Sequence, residues 1–356
     1  MKILKRFLIG IAIIMGAAWA YGMYLLVAEE HSYASVSEKD RSLAADYLTV
    51  AVEPLGEGWL WESFEPEEGI ELRTGRFENP PTNPKGVVIV VPGYTAPLEM
   101  LSRSINQFHA NGFLTYGFEY RGQGLSTRLL TNPEKGHVED YAVLAADLSK
   151  FIESVARPDL PLNVYAISQG AHITMRMAGD GLADADNYAL IVPMAKIFTG
   201  EFPYGVARVI GAVLTYTGLG EVFAPGRGPW DIANINFGSA TECNANPKKA
   251  QLRDALFALD ERKRVNGPTA RWVHETINST DDLFAPGYAE KITAPVLMFT
   301  AGQDTIVDTD AAVSLCNKLG NCTRQHFEAS RHCIGQESDE VRDAIINASI
   351  EHFDAG

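Results

Sequence analysis

A serine, an aspartate and a histidine stand in this chain in that order, each after a run that reads as a strand. Such a set suits acyl transfer. The hydroxyl attacks a carbonyl once an imidazole takes its proton, a carboxylate orients the imidazole, and N–H donors receive the developing oxyanion. The serine is Ser168, in Asn163-Val164-Tyr165-Ala166-Ile167-Ser168-Gln169-Gly170-Ala171. On a sharp strand-to-helix turn a serine hydroxyl is pushed outward, and the residues two before and two after must be small because two backbones nearly touch. Ala166 and Gly170 meet that demand, although the usual pattern has glycine at both positions. The plain alternative is a serine that only caps a helix. Asp304, in Ala301-Gly302-Gln303-Asp304, follows the run Pro295-Val296-Leu297-Met298-Phe299-Thr300, and His332, in Ser330-Arg331-His332-Cys333, follows the run at 323–327. Asp308 and Asp310 are alternative acids that lie further from the strand end.

Holding these groups together requires a sheet whose strands end side by side. Val87-Val88-Ile89-Val90-Val91 is apolar throughout and reads as a strand buried on both faces. Before it, residues 59–64 and 71–77 alternate apolar and polar across a Glu-rich turn, as an edge hairpin does. After it, strand-like runs at 113–118, 163–167 and 188–194 alternate with helical periods at 98–110, 139–156 and 169–178. That alternation predicts a mostly parallel sheet with helices on both faces, whose sites lie at the carboxyl ends of the strands. It stops near residue 196, leaving roughly 90 residues of helical periods and Gly/Pro-rich loops before the sheet resumes at 295. The expected organisation is therefore a core of residues 57–196 and 291–356 with a helical cap inserted at 197–290.

Nearly half of the 356 residues are hydrophobic (46%), enough for a large core, and the formal charge of −15 argues against nucleic acid and against attraction to anionic lipid heads. Any membrane contact must then be apolar. Residues 1–6 are a short basic start, and residues 7–28 form an apolar run without a charge, long enough to span roughly 30 Å of hydrocarbon. Lys2, Lys5 and Arg6 precede it and Glu29 and Glu30 follow, so the positive-inside tendency exports the rest of the chain. The run is read as an uncleaved transmembrane anchor leading into a tether at 29–56, in which residues 43–50 form a short amphipathic helix that packs on the domain. A signal peptide cleaved after Ala18-Trp19-Ala20 is the rival, giving a secreted or periplasmic protein, and a buried core helix is the third reading.

Five motifs in order resemble the α/β-hydrolase superfamily, and within it the lysophospholipase and monoacylglycerol lipase group, also called serine aminopeptidase-like hydrolases. They are Pro92-Gly93-Tyr94-Thr95, Tyr120-Arg121-Gly122-Gln123-Gly124-Leu125-Ser126, the Ser168 turn, Gly302-Gln303-Asp304 with Ile306-Val307-Asp308, and Ser330-Arg331-His332. Gly267-Pro268-Thr269-Ala270-Arg271-Trp272 in the cap is similar to the same group. The resemblance implies an α/β-hydrolase fold with Ser168 as nucleophile, His332 as base and then acid, and Asp304 as the residue orienting the imidazole. It implies an oxyanion hole from the backbone N–H groups of Tyr94 and Gln169, with Gly93 permitting close approach, and neither cofactor nor metal. Pro92, Glu119 and Cys333 depart from the family pattern, which has histidine, aspartate and often an acid there.

Other residues have ordinary readings. His326 lies within a strand, His109, His172 and His352 on helix surfaces, and His137 before a helix that it could cap. The single glycine-x-glycine of the Arg121 loop has no dinucleotide fingerprint around it. Cys316 and Cys322 bracket a turn-like segment and favour one another as a disulfide, leaving Cys243 for Cys333; four free thiols are the alternative. The expected activity is hydrolysis of carboxylic esters of single-chain, lipid-like substrates at an extracytoplasmic membrane face. A peptidase or acyltransferase using the same groups, and a non-catalytic binding protein on the same fold, are the alternatives. The sequence is silent on oligomeric state.

Overall fold

The computed structural model describes residues 16–355 except 18 and 25. Eight strands form one sheet in the order β1-β2-β4-β3-β5-β6-β7-β8. The hairpin β1 (Trp59–Glu67) and β2 (Ile70–Phe77) is antiparallel and joins antiparallel to β4 (Phe113–Phe118). The remaining neighbours, β3 (Gly86–Val91), β5 (Leu162–Ile167), β6 (Asn187–Ile191), β7 (Val296–Ala301) and β8 (Cys322–Phe327), pair parallel.

Why β3 carries no polar residue is visible in its packing, because its side chains alternate between two apolar layers. Val87, Ile89 and Val91 pack with Leu144, Leu148 and Phe151 of α3 (Tyr141–Val155) and Ile173 of α4 (Gln169–Gly179). Val88 and Val90 pack with Ile105 and Phe108 of α2 (Ser102–Ala110) and Ile346 and Phe353 of α9 (Asp339–Ala355). Helices therefore cover both faces, and β6 ends at Ile191 rather than 194 because Val192 takes φ +41 and Pro193 follows.

Between β6 and β7 no strand forms; α5 (Tyr204–Leu214), α6 (Leu252–Leu259) and α7 (Ala270–Leu283) lie there with short single turns. The segment at 29–56 packs on the domain through a helix, as its amphipathic piece led one to expect. Its helix, α1 (Glu38–Ala51), longer than the stretch 43–50, buries Ala44 with Trp230, Ala255 and Phe257 of the cap. Lys135 and Asn132 hold Glu29, and Arg264 donates to the Ala34 carbonyl at 2.8 Å.

Half of the apolar run at 7–28 lies outside the described residues. Its described part is helical from 16 to 27 and rests on the turn after α5, where the Trp19 indole donates to the Thr217 carbonyl at 2.8 Å and Gly22 abuts Leu219. Among the described residues no helix is long and apolar enough to cross a membrane.

Candidate active site

Ser168 joins β5 to α4 with φ 51 and ψ −112, a conformation that non-glycine residues adopt only when surrounding structure enforces it. The enforcement is mutual packing. Gly170 lies so close to β3 that a Cβ there would sit 2.3 Å from the Pro92 carbonyl oxygen, and one on Gly93 would approach the Ser168 Cβ to 3.3 Å. Ala166, fully buried in β5, is small enough for the same crossing.

The histidine and acid arrive from neighbouring strands. His332 Nε2 lies 3.0 Å from Ser168 Oγ, and His332 Nδ1 lies 2.7 Å from Asp304 Oδ2. Asp304 is fixed in turn, since its Oδ1 accepts the backbone N–H groups of Ile306 and Val307 at 2.8 and 3.0 Å. With Nδ1–H directed at the carboxylate, Nε2 is left to accept the serine proton. Asp308 instead caps α8 (Thr309–Lys318), accepting from the Ala311 N–H at 3.1 Å, and Asp310 is exposed on that helix. Of the three carboxylates weighed in the sequence, Asp304 is the one in contact with His332.

The N–H of Gln169 opens α4, where the helix dipole favours negative charge, and neither it nor the Tyr94 N–H donates to a protein acceptor among the described residues. Thr95 (φ 61) bends the loop that carries Tyr94, and its N–H donates to buried Gln123 Oε1 at 2.7 Å. Glu119 explains one departure from the family pattern. Fully buried, its carboxylate accepts from Leu98 N and Leu125 N, both at 2.8 Å, and pairs with Arg73, so it ties the Tyr94 loop to the Gly122–Gly124 loop. Burial raises its pKa.

The cap is pinned over this loop. Tyr94 donates its hydroxyl to the Asn266 carbonyl at 2.8 Å and packs against Trp272, whose indole donates to Gln169 Oε1 at 3.3 Å. Two histidines differ from their expected roles. His172 is fully buried, because α4 is covered by the sheet on one side and by α3 and α7 on the other; burial lowers its pKa to about 3 and its Nε2 meets Ser279 Oγ at 2.7 Å. His137 caps nothing but meets Thr269 Oγ1 of the cap at 2.9 Å, with its pKa lowered to about 4 by burial. His326 bonds Thr300 and Glu328, and His109 stacks on Phe77.

Cys243 is bonded to Cys333 and Cys316 to Cys322. The first bridge belongs to a clasp between cap and histidine loop. Cys333 N donates to the Cys243 carbonyl at 2.7 Å, Asn244 Nδ2 to the Gln336 carbonyl at 3.0 Å, and Glu337 Oε1 accepts from Arg331 N at 3.0 Å and Ala245 N at 3.3 Å. Replacing both Cys243 and Cys333 by serine should cost about 2–4 kcal/mol of stability, since the bridge closes a long loop. It should also lower turnover more than it weakens substrate binding, as His332 loses its alignment. Melting and steady-state kinetics on the double variant check this, and an unchanged kcat would show that the clasp does not position the imidazole.

Ser168 and His332 open into a cavity of about 840 Å³ with a largely apolar wall that includes Ile197, Phe198, Phe202, Ile210 and Trp272. Of the cap aromatics, Trp230 and Phe237 serve the cap's own packing against α1, whereas Phe198 and Phe202 face the cavity.

The family model described as serine aminopeptidase, S33, matches residues 82–339. The chain belongs to that family. It is 25% identical over 291 residues to a probable lysophospholipase L2 of Haemophilus influenzae, covering 81% of this chain and 89% of that one. It is 26% identical to lysophospholipase L2 of Escherichia coli, covering 75% of this chain and 80% of that one. Among solved structures, a soluble variant of monoglyceride lipase from Saccharomyces cerevisiae superposes with a TM-score of 0.68 at 16% identity, over 86% of this chain and 97% of that one. A carboxyl esterase from Bacillus coagulans follows with 0.64 at 20% identity, over 84% and 99%. These likenesses establish the α/β-hydrolase fold.

Two residues that support the site act across long sequence separations: Gln123, which lay within a recognisable motif, and Glu337, which did not.

Proposed function

We propose that this protein is a serine hydrolase that cleaves carboxylic esters of single-chain lipids, lysophospholipids or monoacylglycerols, through an acyl-enzyme. The observation that carries it is the unbroken path Ser168–His332–Asp304 at the floor of a large apolar cavity. Ser168 Oγ attacks the acyl carbon while His332 Nε2 takes its proton, and the N–H groups of Tyr94 and Gln169 receive the oxyanion. His332 then returns the proton to the departing alcohol. Water, deprotonated by the same imidazole, releases the fatty acid. No step requires a cofactor.

A wall formed by Phe198, Phe202 and Ile210 suits a flexible alkyl chain, and each buried methylene contributes about 0.8 kcal/mol. Over a series of p-nitrophenyl esters, kcat/KM should therefore rise several-fold for each two-carbon extension until solubility limits it. A maximum at acetate or butyrate would refute a lipid pocket. The relatives named as lysophospholipases support the same class.

We also place the catalytic domain outside the cytoplasm, held to a membrane by residues 7–28. What supports attachment is an apolar face beside the end of that run. Val206, Val209, Val213 and Tyr216, at steps of three and four along α5 and its following turn, are exposed, as are Tyr21 and Tyr24 of the helix docked next to them. A face of this kind in contact with water is costly, and a bilayer surface covers it. Two disulfides fit an oxidising compartment. Protease added to spheroplasts should digest the domain, and the intact protein should begin at or next to Met1. Protection from the protease would overturn the topology, and an N-terminus at Tyr21 would replace the anchor with a signal peptide.

A further inference from the structure

We propose that Arg253 and Arg227 form a phosphate subsite beside the oxyanion loop, so that the head group accepted with the acyl ester is a glycerophosphodiester in preference to free glycerol. This deepens the functional reading above and rests on it. Both residues line the cavity that contains Ser168 and His332.

Arg253 is held in place. Its Nε and Nη2 donate to Asp254 Oδ1 at 3.2 and 2.8 Å, and that carboxylate is itself buried and fixed by the Trp230 indole at 3.0 Å. The remaining Nη1 is 3.4 Å from Thr95 Oγ1, one residue beyond Tyr94, so the other edge of the guanidinium faces the oxyanion loop. Arg227 lines the same cavity. Its Nη2 would lie 3.6 Å from a Cβ at Gly200, and among the described residues no carboxylate pairs with it. Burial pushes the Tyr94 hydroxyl well above its ordinary range, and the charges of Arg253, Arg227 and Arg128 pull it part of the way back.

The remaining charged groups on the wall are accounted for. Lys249 pairs with Asp339, Asp254 is occupied as described, and Glu242 is exposed on the segment joined to Cys333. An arginine without a carboxylate partner keeps its donors free for a ligand, and in a protein of net charge −15 a positive charge on the cavity wall draws an anion in against the overall field. Guanidinium is suited to phosphate because it donates two parallel hydrogen bonds. In a single-chain glycerophospholipid the ester oxygen, the glycerol carbons and the phosphoester oxygen are all that separate the acyl carbon from phosphorus. A carbonyl held by Tyr94 N and Gln169 N therefore brings the phosphate to the neighbourhood of Thr95 and Arg253. Glu242 supplies a negative charge on the same wall for the ammonium of an ethanolamine head. A monoacylglycerol has no charge to meet any of them.

The test compares a lysophosphatidylethanolamine with the monoacylglycerol of the same chain. Arg227→Gln and Arg253→Gln should each lower the ratio of their kcat/KM values about tenfold or more, mainly through KM for the phospholipid, and the corresponding lysine variants should recover part of it. Loss on both substrates alike would reduce Arg253 to a brace for the Thr95 loop, and an unchanged ratio would remove the subsite; either result overturns the proposal. If Arg253→Gln fails to fold, Arg227→Gln decides alone, because its side chain is exposed and unpaired. Calorimetry with glycerophosphoethanolamine should show binding to the wild type that the double variant loses, whereas equal binding of inorganic phosphate would make this a bare anion site and refute the head-group assignment. Should the wild type hydrolyse no lipid ester, the functional reading falls, and the calorimetric comparison still decides the subsite.

Discussion

Ser168→Ala is expected to lower ester turnover by about a millionfold while the protein melts within a few degrees of the wild type. The size of the effect follows from the role of the hydroxyl. Among the described residues it is the hydroxyl bonded to His332 Nε2, at 3.0 Å, and without it the imidazole has no nucleophile to activate for the first step. Stability should change little, because the strained turn is enforced by Gly93, Gly170 and the Pro92 carbonyl rather than by the serine side chain. Turnover and thermal melting of the purified variant check both parts. Retention of even a tenth of the activity would remove Ser168 as the nucleophile.

The second large effect belongs to the acid. Asp304→Asn should cost about 10⁴ in kcat, because an amide facing His332 Nδ1 at 2.7 Å favours the tautomer with its proton on Nε2, which cannot accept one from serine. Asp308→Asn should leave kcat within about twofold, since Asn serves as well as Asp at the N-cap of α8. If the two variants exchange these outcomes, the carboxylate has been misassigned. Parallel measurement of kcat and stability for both makes the comparison internal.

Ser168, Asp304 and His332 were legible in the sequence because each follows a strand-like run, apolar before Ser168 and Asp304 and mixed before His332, and a parallel sheet brings such ends side by side. The two disulfides follow the same logic, with Cys316 and Cys322 close in sequence. What the sequence hid depends on contacts between distant segments. His172 looks like a helix-surface residue until α7 of the cap is laid over α4, and His137 looks like a cap until Thr269 arrives beside it. The helix at 38–51 extends the amphipathic piece at 43–50, but its partner, the pocket around Trp230 and Phe257, lies so far along the chain that the sequence does not name it. Arg227 and Arg253 belong to none of the motifs of the chain, and only their shared cavity sets them apart.

The central claim is that a single-chain lipid ester is the substrate and Ser168 its acyl acceptor. Its most direct test is a hydrolysis panel of lysophospholipids, monoacylglycerols, diacyl phospholipids and aminoacyl arylamides, each assayed with wild type and with Ser168→Ala. Hydrolysis of the single-chain lipids well above the other classes, abolished in the variant, is the predicted result. Turnover of the arylamides alone, or lipid hydrolysis that persists in Ser168→Ala, would contradict it.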